Sequence, residues 1–260
     1  MDKRLDNPIV QKALAELASA STWASALPPV LVASSATLAL HSLHPLHAQA
    51  PVALDLRTIC AWVLMLLAAI VLQVALAILA PRFLKRLPLE ELTFGILVGG
   101  AITCLTYLAL TMSFSPALIT VCAVPLITCA LIVQTGNNCT IQRDLSARRQ
   151  TLPTLLGLDL SARVTKTLVR ATIVYMVLWV IAFDVIIWRS LALLVVAGLL
   201  AIALNFLLKP LLRRIDQAHY SPQSRPRMMQ DITLFSAVIN LSWIVILLLC
   251  WLVGDLYFFL

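Results

Sequence analysis

The chain has 260 residues, of which 61% are hydrophobic and only 12% are charged. A soluble domain averages about 25% charged residues, so this composition excludes an ordinary water-soluble enzyme and indicates a protein with lipid as its solvent. The 19 Lys and Arg residues outnumber the 12 Asp and Glu residues, for a formal net charge of +7. These basic residues do not form one soluble face, so we expect anionic lipid headgroups or a diphosphate as partners, and no nucleic acid.

In chain order, a short amphipathic helix is predicted over residues 8–20, lying on the membrane surface. Seven apolar runs follow that are long enough to cross a bilayer, which takes about 20 residues each. Their hydrophobicity does not alternate, which predicts helices and not barrel strands. The predicted fold class is all-α, a polytopic transmembrane helix bundle that forms one membrane domain over residues 1–260. The predicted spans lie near residues 24–42, 60–80, 92–113, 116–135, 165–187, 189–208 and 233–254.

The basic residues also predict the orientation of the chain. With the N-terminus on the cytoplasmic side, 17 of the 19 Lys and Arg residues fall in cytoplasmic segments, and only Arg57 and Arg189 fall outside. Because cytoplasmic loops carry an excess of Lys and Arg, we predict an N-in, C-out topology in a bacterial plasma membrane. This topology places a polar loop, residues 136–164, and a Pro- and Arg-rich connection, residues 209–231, on the cytoplasmic side.

The cysteines and histidines give no metal motif. The six cysteines are scattered and contain no CxxC pair, so neither a zinc site nor a disulfide framework is indicated. His41, His44 and His47 lie in a predicted outer loop, but Pro45 interrupts the helix that would place them on one face. A solvated interfacial loop is therefore favoured over a metal site.

The most polar part of the chain is residues 136–157, which read GNNCTIQRDLSARRQTLPTLLG. This segment directly follows an apolar run and carries amides, three arginines and a single carboxylate, Asp144. A largely apolar chain has little reason to gather so many polar groups unless they bind something. We therefore predict a ligand-binding loop here.

This segment resembles the second aspartate-rich motif of the UbiA superfamily of membrane prenyltransferases. It is most similar to the 1,4-dihydroxy-2-naphthoate prenyltransferases of menaquinone biosynthesis, where a typical run reads NNTCDIERDxxAGRKTLPxxLG. The matching positions are Asn137, Cys139, Ile141, Arg143, Asp144, Ala147, Arg149, Thr151, Leu152, Pro153 and Gly157. The resemblance is strong over residues 134–157 and weak over most of the remaining chain. It implies transfer of a polyprenyl group from its diphosphate to an aromatic acceptor such as 1,4-dihydroxy-2-naphthoate, with Mg²⁺ as cofactor.

The chain departs from the family pattern where metal ligands are expected. Thr140 stands in place of the first aspartate of the motif, Gln142 replaces an acid and Arg148 replaces a glycine. The positions of the first aspartate motif, after the second span, hold Ala77, Ala80, Pro81 and Leu84. Two helices that follow that motif in the family are absent here.

The resemblance assigns site residues to specific positions. It implies diphosphate binding by Asn137, Asn138, Asp144, Arg148, Arg149 and Lys166, a cavity-lining Gln73, and Asp144 as a weak metal ligand. One carboxylate with two amides is a poor Mg²⁺ site, because Mg²⁺ prefers anionic oxygens. The residues also allow interpretations without a ligand. Asp144 could pair with Arg143 or Arg148, and the basic side chains could be present only because cytoplasmic segments are rich in Lys and Arg. Glu90 and Glu91 either serve as substitute ligands on a neighbouring loop or mark the start of a helix.

Two functions follow as expectations. The first is a UbiA-like integral membrane prenyltransferase whose activity is impaired by the missing carboxylates. The alternative is a non-catalytic paralogue that binds an isoprenoid, a quinone or a lipid, or a partner subunit of an intact prenyltransferase. The expected partners are membrane lipid, a polyprenyl diphosphate or quinone-like small molecule, and another membrane protein. A transporter is disfavoured because the chain shows no inverted repeat.

Overall fold

The computed structural model describes residues 19–41, 56–83, 90–183, 191–220 and 222–259, together with the single positions 11 and 15. Within these ranges every long element is a helix and no strand is present, so the all-α prediction is confirmed. The long helices within the ranges given above are α1 (Ala20–His41), α2 (Leu56–Phe83), α3 (Glu90–Thr111), α4 (Ala117–Ser146), α5 (Leu152–Phe183), α6 (Leu191–Tyr220) and α7 (Arg225–Phe259).

Six of the described helices, α1 to α5 and α7, are long and apolar enough to cross a membrane. The prediction of an integral membrane protein with helical spans is confirmed to this extent. The sixth predicted span in chain order, 189–208, lies largely in α6, which is not among these six helices. Most of the predicted interfacial helix 8–20 lies outside the described residues, as do His44 and His47.

Helix α4 lies at the centre of the bundle and contacts α1, α3, α5 and α7. Its first turns are held by two indoles: Trp179 of α5 donates to Thr120 Oγ1 at 2.9 Å, and Trp243 of α7 donates to the Val121 carbonyl at 3.1 Å. The two rings also meet edge to face, with centroids 4.8 Å apart. Helix α2 lies at the periphery, because only 17% of its most apolar stretch, within Leu56–Leu79, is buried against the other helices.

Helices α3 and α4 approach each other to backbone contact. The stretch Gly95–Ala101 of α3 is π-helical, and a Cβ at Gly99 would lie 2.5 Å from the carbonyl oxygen of Pro125 in α4. Small residues permit this approach between membrane helices, where close packing replaces the hydrophobic effect. The contact continues along both helices and brings the first residues of α3 against the C-terminal half of α4.

The prediction that residues 136–164 form a loop is wrong. Residues 136–146 complete α4 and residues 152–164 begin α5, so within this stretch only residues 147–151 and Gly157 are non-helical. The helices continue through this polar sequence because its side chains hydrogen-bond to neighbouring helices. The helix breaks instead at Gly157, whose φ of 77° puts a kink inside α5. The predicted connection 209–231 is also mostly helical, since α6 runs to Tyr220 and α7 begins at Arg225.

Candidate functional site

The first two residues of α3 are acids that lie buried against α4. Glu90 and Glu91 are each 6% exposed. Asn137 Nδ2 donates to Glu91 Oε1 at 2.8 Å and to Glu90 Oε2 at 3.4 Å, and the backbone N–H of Leu152 donates to Glu91 Oε1 at 3.3 Å. The prediction that these acids begin a helix is confirmed, whereas their placement on a loop is wrong.

Arg149 connects this acid pair to Asp144. Its guanidinium forms one ion pair with Glu90 Oε2 and a second, at 3.4 Å, with Asp144 Oδ1. The other oxygen of Asp144 accepts a hydrogen bond from Thr140 Oγ1 at 3.1 Å. Asp144 therefore pairs with Arg149, and the predicted pairing with Arg143 or Arg148 is wrong. We call Glu90, Glu91, Asn137, Asp144 and Arg149 the acid–arginine cluster.

The short turn 147–151 positions the guanidinium. The backbone N–H of Arg149 donates to the Asp144 carbonyl at 2.8 Å, which closes the end of α4. Arg148 adopts a left-handed conformation with φ of 52° and has an exposed side chain. The reversal at Arg148 directs the next side chain, that of Arg149, back over the acids.

The cluster carries more negative than positive charge. It contains three carboxylates and one guanidinium, and Glu91 Oε2 is buried without a hydrogen-bond partner among the described residues. A buried acceptor left unpaired costs about 1–3 kcal/mol. The arrangement therefore favours a ligand that donates a hydrogen bond and disfavours an anion.

Asn138 faces a different helix from Asn137. It donates to Thr165 Oγ1 of α5 at 3.2 Å and accepts a hydrogen bond from Ser161, which also accepts from Gln134 Nε2 at 2.7 Å. Sequence reasoning did not identify Gln134, Ser161 or Thr165. The available signal was their spacing, since Gln134 and Asn138 lie four residues apart on α4, as do Ser161 and Thr165 on α5.

The other predicted site residues lie elsewhere. Lys166 forms an ion pair with Asp216 of α6. Gln73 is buried between α1 and α2, where it donates to Ser25 Oγ at 2.5 Å. Of the six predicted diphosphate ligands, the structure brings together Asn137, Asp144 and Arg149 and does not join Asn138, Arg148 or Lys166 to them.

The described residues do not fit the Mg²⁺ that the resemblance implies for an active enzyme. In the described part of the chain, no three His, Cys, Asp or Glu side chains are placed to hold a metal ion. Both oxygens of Asp144 are already bonded to Thr140 and Arg149, and the guanidinium lies between the carboxylates of Glu90 and Asp144. Mg²⁺ needs near-octahedral coordination with anionic oxygens and water, which this arrangement does not offer.

Comparison of the chain with protein-family models, curated proteins and solved structures finds no match. The acid–arginine cluster and the residues of the segment 136–157 are therefore the features that indicate a function.

Proposed function

We propose that this chain is an integral membrane protein of the UbiA prenyltransferase type that binds an isoprenoid with a quinol-like head and does not transfer the prenyl group. One observation carries the proposal: the guanidinium of Arg149 is bonded to Glu90 and Asp144. Prenyl transfer needs a cation beside the departing diphosphate to stabilise its negative charge, and this cation is usually a metal ion held by carboxylates. Here the positive charge is bonded to the protein's own acids.

The charge of the acid–arginine cluster also favours a neutral ligand over a diphosphate. The three carboxylates of the acid–arginine cluster would repel a diphosphate, because Arg149 is the only guanidinium bonded to them and the nearby Arg143 and Arg148 are exposed to solvent. Coulomb repulsion is strong where water is scarce. A phenolic hydroxyl carries no charge and can donate to Glu91 Oε2, the acceptor that lacks a partner among the described residues. The isoprenoid tail would lie among the apolar helices.

The location that we propose follows from the basic residues. Arg143, Arg148 and Arg149 cluster at the turn between α4 and α5, at the same end as the acid–arginine cluster. We place this end at the cytoplasmic face of a bacterial plasma membrane, because Lys and Arg accumulate on that side.

The catalytic question is tested on the purified chain in lipid nanodiscs with Mg²⁺, a polyprenyl diphosphate and 1,4-dihydroxy-2-naphthoate. We expect no prenylated product by mass spectrometry. Product that forms with the parent chain and disappears in Asp144→Asn would overturn the non-catalytic proposal and support the prenyltransferase.

The ligand is tested with a short-chain quinol and its oxidised quinone, with binding followed by tryptophan fluorescence. Glu91→Gln keeps an oxygen for Asn137 and Leu152 but replaces the unpaired acceptor by an N–H donor. We expect the parent to prefer the quinol, and the variant to bind the quinol about tenfold more weakly, as for the loss of one hydrogen bond, and to bind the quinone better. Arg148→Gln, at an exposed position, is the control. An unchanged preference in Glu91→Gln would refute the hydroxyl contact.

A further inference from the structure

A second charged feature lies between α5 and α6, away from the acid–arginine cluster. Lys166 of α5 forms an ion pair with Asp216 of α6. Lys166 lies in the first half of α5 and Asp216 lies near the end of α6, as expected for two consecutive helices that run antiparallel. The Lys166–Asp216 contact therefore fixes which residues of α5 and α6 lie at the same level.

More cations lie one turn and two turns deeper along the same faces. Arg170 follows Lys166 by four residues, and Arg213 and Lys209 precede Asp216 by three and seven residues, spacings that place side chains on one helix face. We call Lys166, Arg170, Lys209 and Arg213 the basic seam. The side chains of Arg170, Lys209 and Arg213 are exposed, and none forms an ion pair with a described residue. The four cations of the basic seam are thus paired with one carboxylate among the described residues, that of Asp216.

The basic seam lies at the boundary between the polar and apolar parts of both helices. Beyond Arg170, residues 171–183 contain no charged residue, and residues 191–208, before Lys209, contain none either. The change from charged to apolar sequence marks the level of the lipid phosphates.

Exposed apolar side chains continue from the cations towards the membrane interior. Val174 and Leu178 follow Arg170 at four and eight residues and are 54% and 59% exposed. Ile202 and Phe206 precede Lys209 at seven and three residues and are 57% and 71% exposed. The surface therefore has a cationic end and an apolar end on adjacent helices, which matches the headgroup and the acyl chains of a phospholipid.

We propose that the basic seam binds the headgroup of an anionic phospholipid. The excess of cations selects an anion, and the apolar strip below them selects a lipid over free phosphate. This site is separate from the acid–arginine cluster and does not depend on the proposed quinol binding.

The test measures lipid retention by native mass spectrometry after the full chain is transferred from nanodiscs of zwitterionic lipid doped with a two-phosphate lipid. We expect Arg170→Gln with Lys209→Gln to lower retention about tenfold or more, because each basic residue near the surface contributes appreciably to anionic lipid binding. The matched control, Arg143→Gln with Arg227→Gln, removes the same charge from exposed positions elsewhere and is expected to retain the lipid.

Two further arms keep the proposal falsifiable. Arg170→Lys with Lys209→Arg preserves charge and is expected to bind as the parent does, and a loss equal to that of the Gln pair would contradict a charge-based site. Inorganic phosphate at millimolar concentration is expected not to displace the lipid. Displacement, or equal losses in the Gln pair and its control, would overturn the proposal.

Discussion

Replacement of Arg149 by methionine measures how much the acid–arginine cluster contributes to stability. Methionine keeps an unbranched stem but removes the charge, so the carboxylates of Glu90 and Asp144 lose the cation they share. Their side chains are 8% and 4% exposed, so water replaces the guanidinium poorly. Breaking a buried pair costs about 3–5 kcal/mol. Because Arg149 itself is 19% exposed, we expect the lower end, about 3 kcal/mol.

The assay is unfolding by titration with sodium dodecyl sulfate in mixed micelles, followed by the fluorescence of the six tryptophans. A loss of about 3 kcal/mol lowers the folded-to-unfolded ratio about a hundredfold. Arg148→Met is the matched control, since Arg148 is exposed, and we expect a change within about 0.5 kcal/mol. Arg149→Lys should fall between them because an ammonium lacks the planar fork that reaches two carboxylates. Equal stability of the two methionine variants would refute the role given to Arg149.

The remaining predictions concern four glycines and use the same unfolding assay. Gly99→Ala should cost about 1–3 kcal/mol, because its Cβ would lie 2.5 Å from a backbone carbonyl of α4, whereas Gly100→Ala, with its nearest atom at 3.6 Å, should be tolerated. Gly157→Ala should cost about 1–3 kcal/mol through its backbone conformation alone, φ 77° with ψ 166°, since nothing lies within 4 Å of the added Cβ. Gly136→Ala, equally uncrowded but inside α4, should instead stabilise the chain by about 0.5–1 kcal/mol, and a loss there would argue against a helical Gly136.

The sequence predicted the membrane helices well because an apolar run in lipid must satisfy its own backbone hydrogen bonds, so that its composition alone indicates a helix. It failed where conformation depends on distant partners. Gly136, Asn137 and Asn138 have the composition of a loop, yet they continue α4 because their neighbours on α3 and α5 accept and donate the hydrogen bonds. Those partners lie 23 to 47 residues away along the chain, and no local pattern identifies them.

The site was predicted in part for a similar reason. The motif identified Asn137, Asp144 and Arg149, which the structure brings together, but spacing alone did not show which of two adjacent arginines faces inward. That choice depends on the left-handed conformation of Arg148. The burial of Glu90 and Glu91 depends on the close approach of α3 to α4, which the sequence pattern did not reveal. Gly99 permits this approach, as does Gly95, where a Cβ would lie 2.9 Å from the carbonyl oxygen of Leu126.

The turn 147–151 and the residue after it bind both acids of α3 at once. Arg149 bonds to Glu90 through its side chain, and Leu152 bonds to Glu91 through its backbone. Because only two residues separate these donors, a displacement of the turn releases both acids together. The start of α3 and the connection from α4 to α5 should therefore open cooperatively, and deuterium exchange at the Leu152 amide would report the opening of the whole cluster.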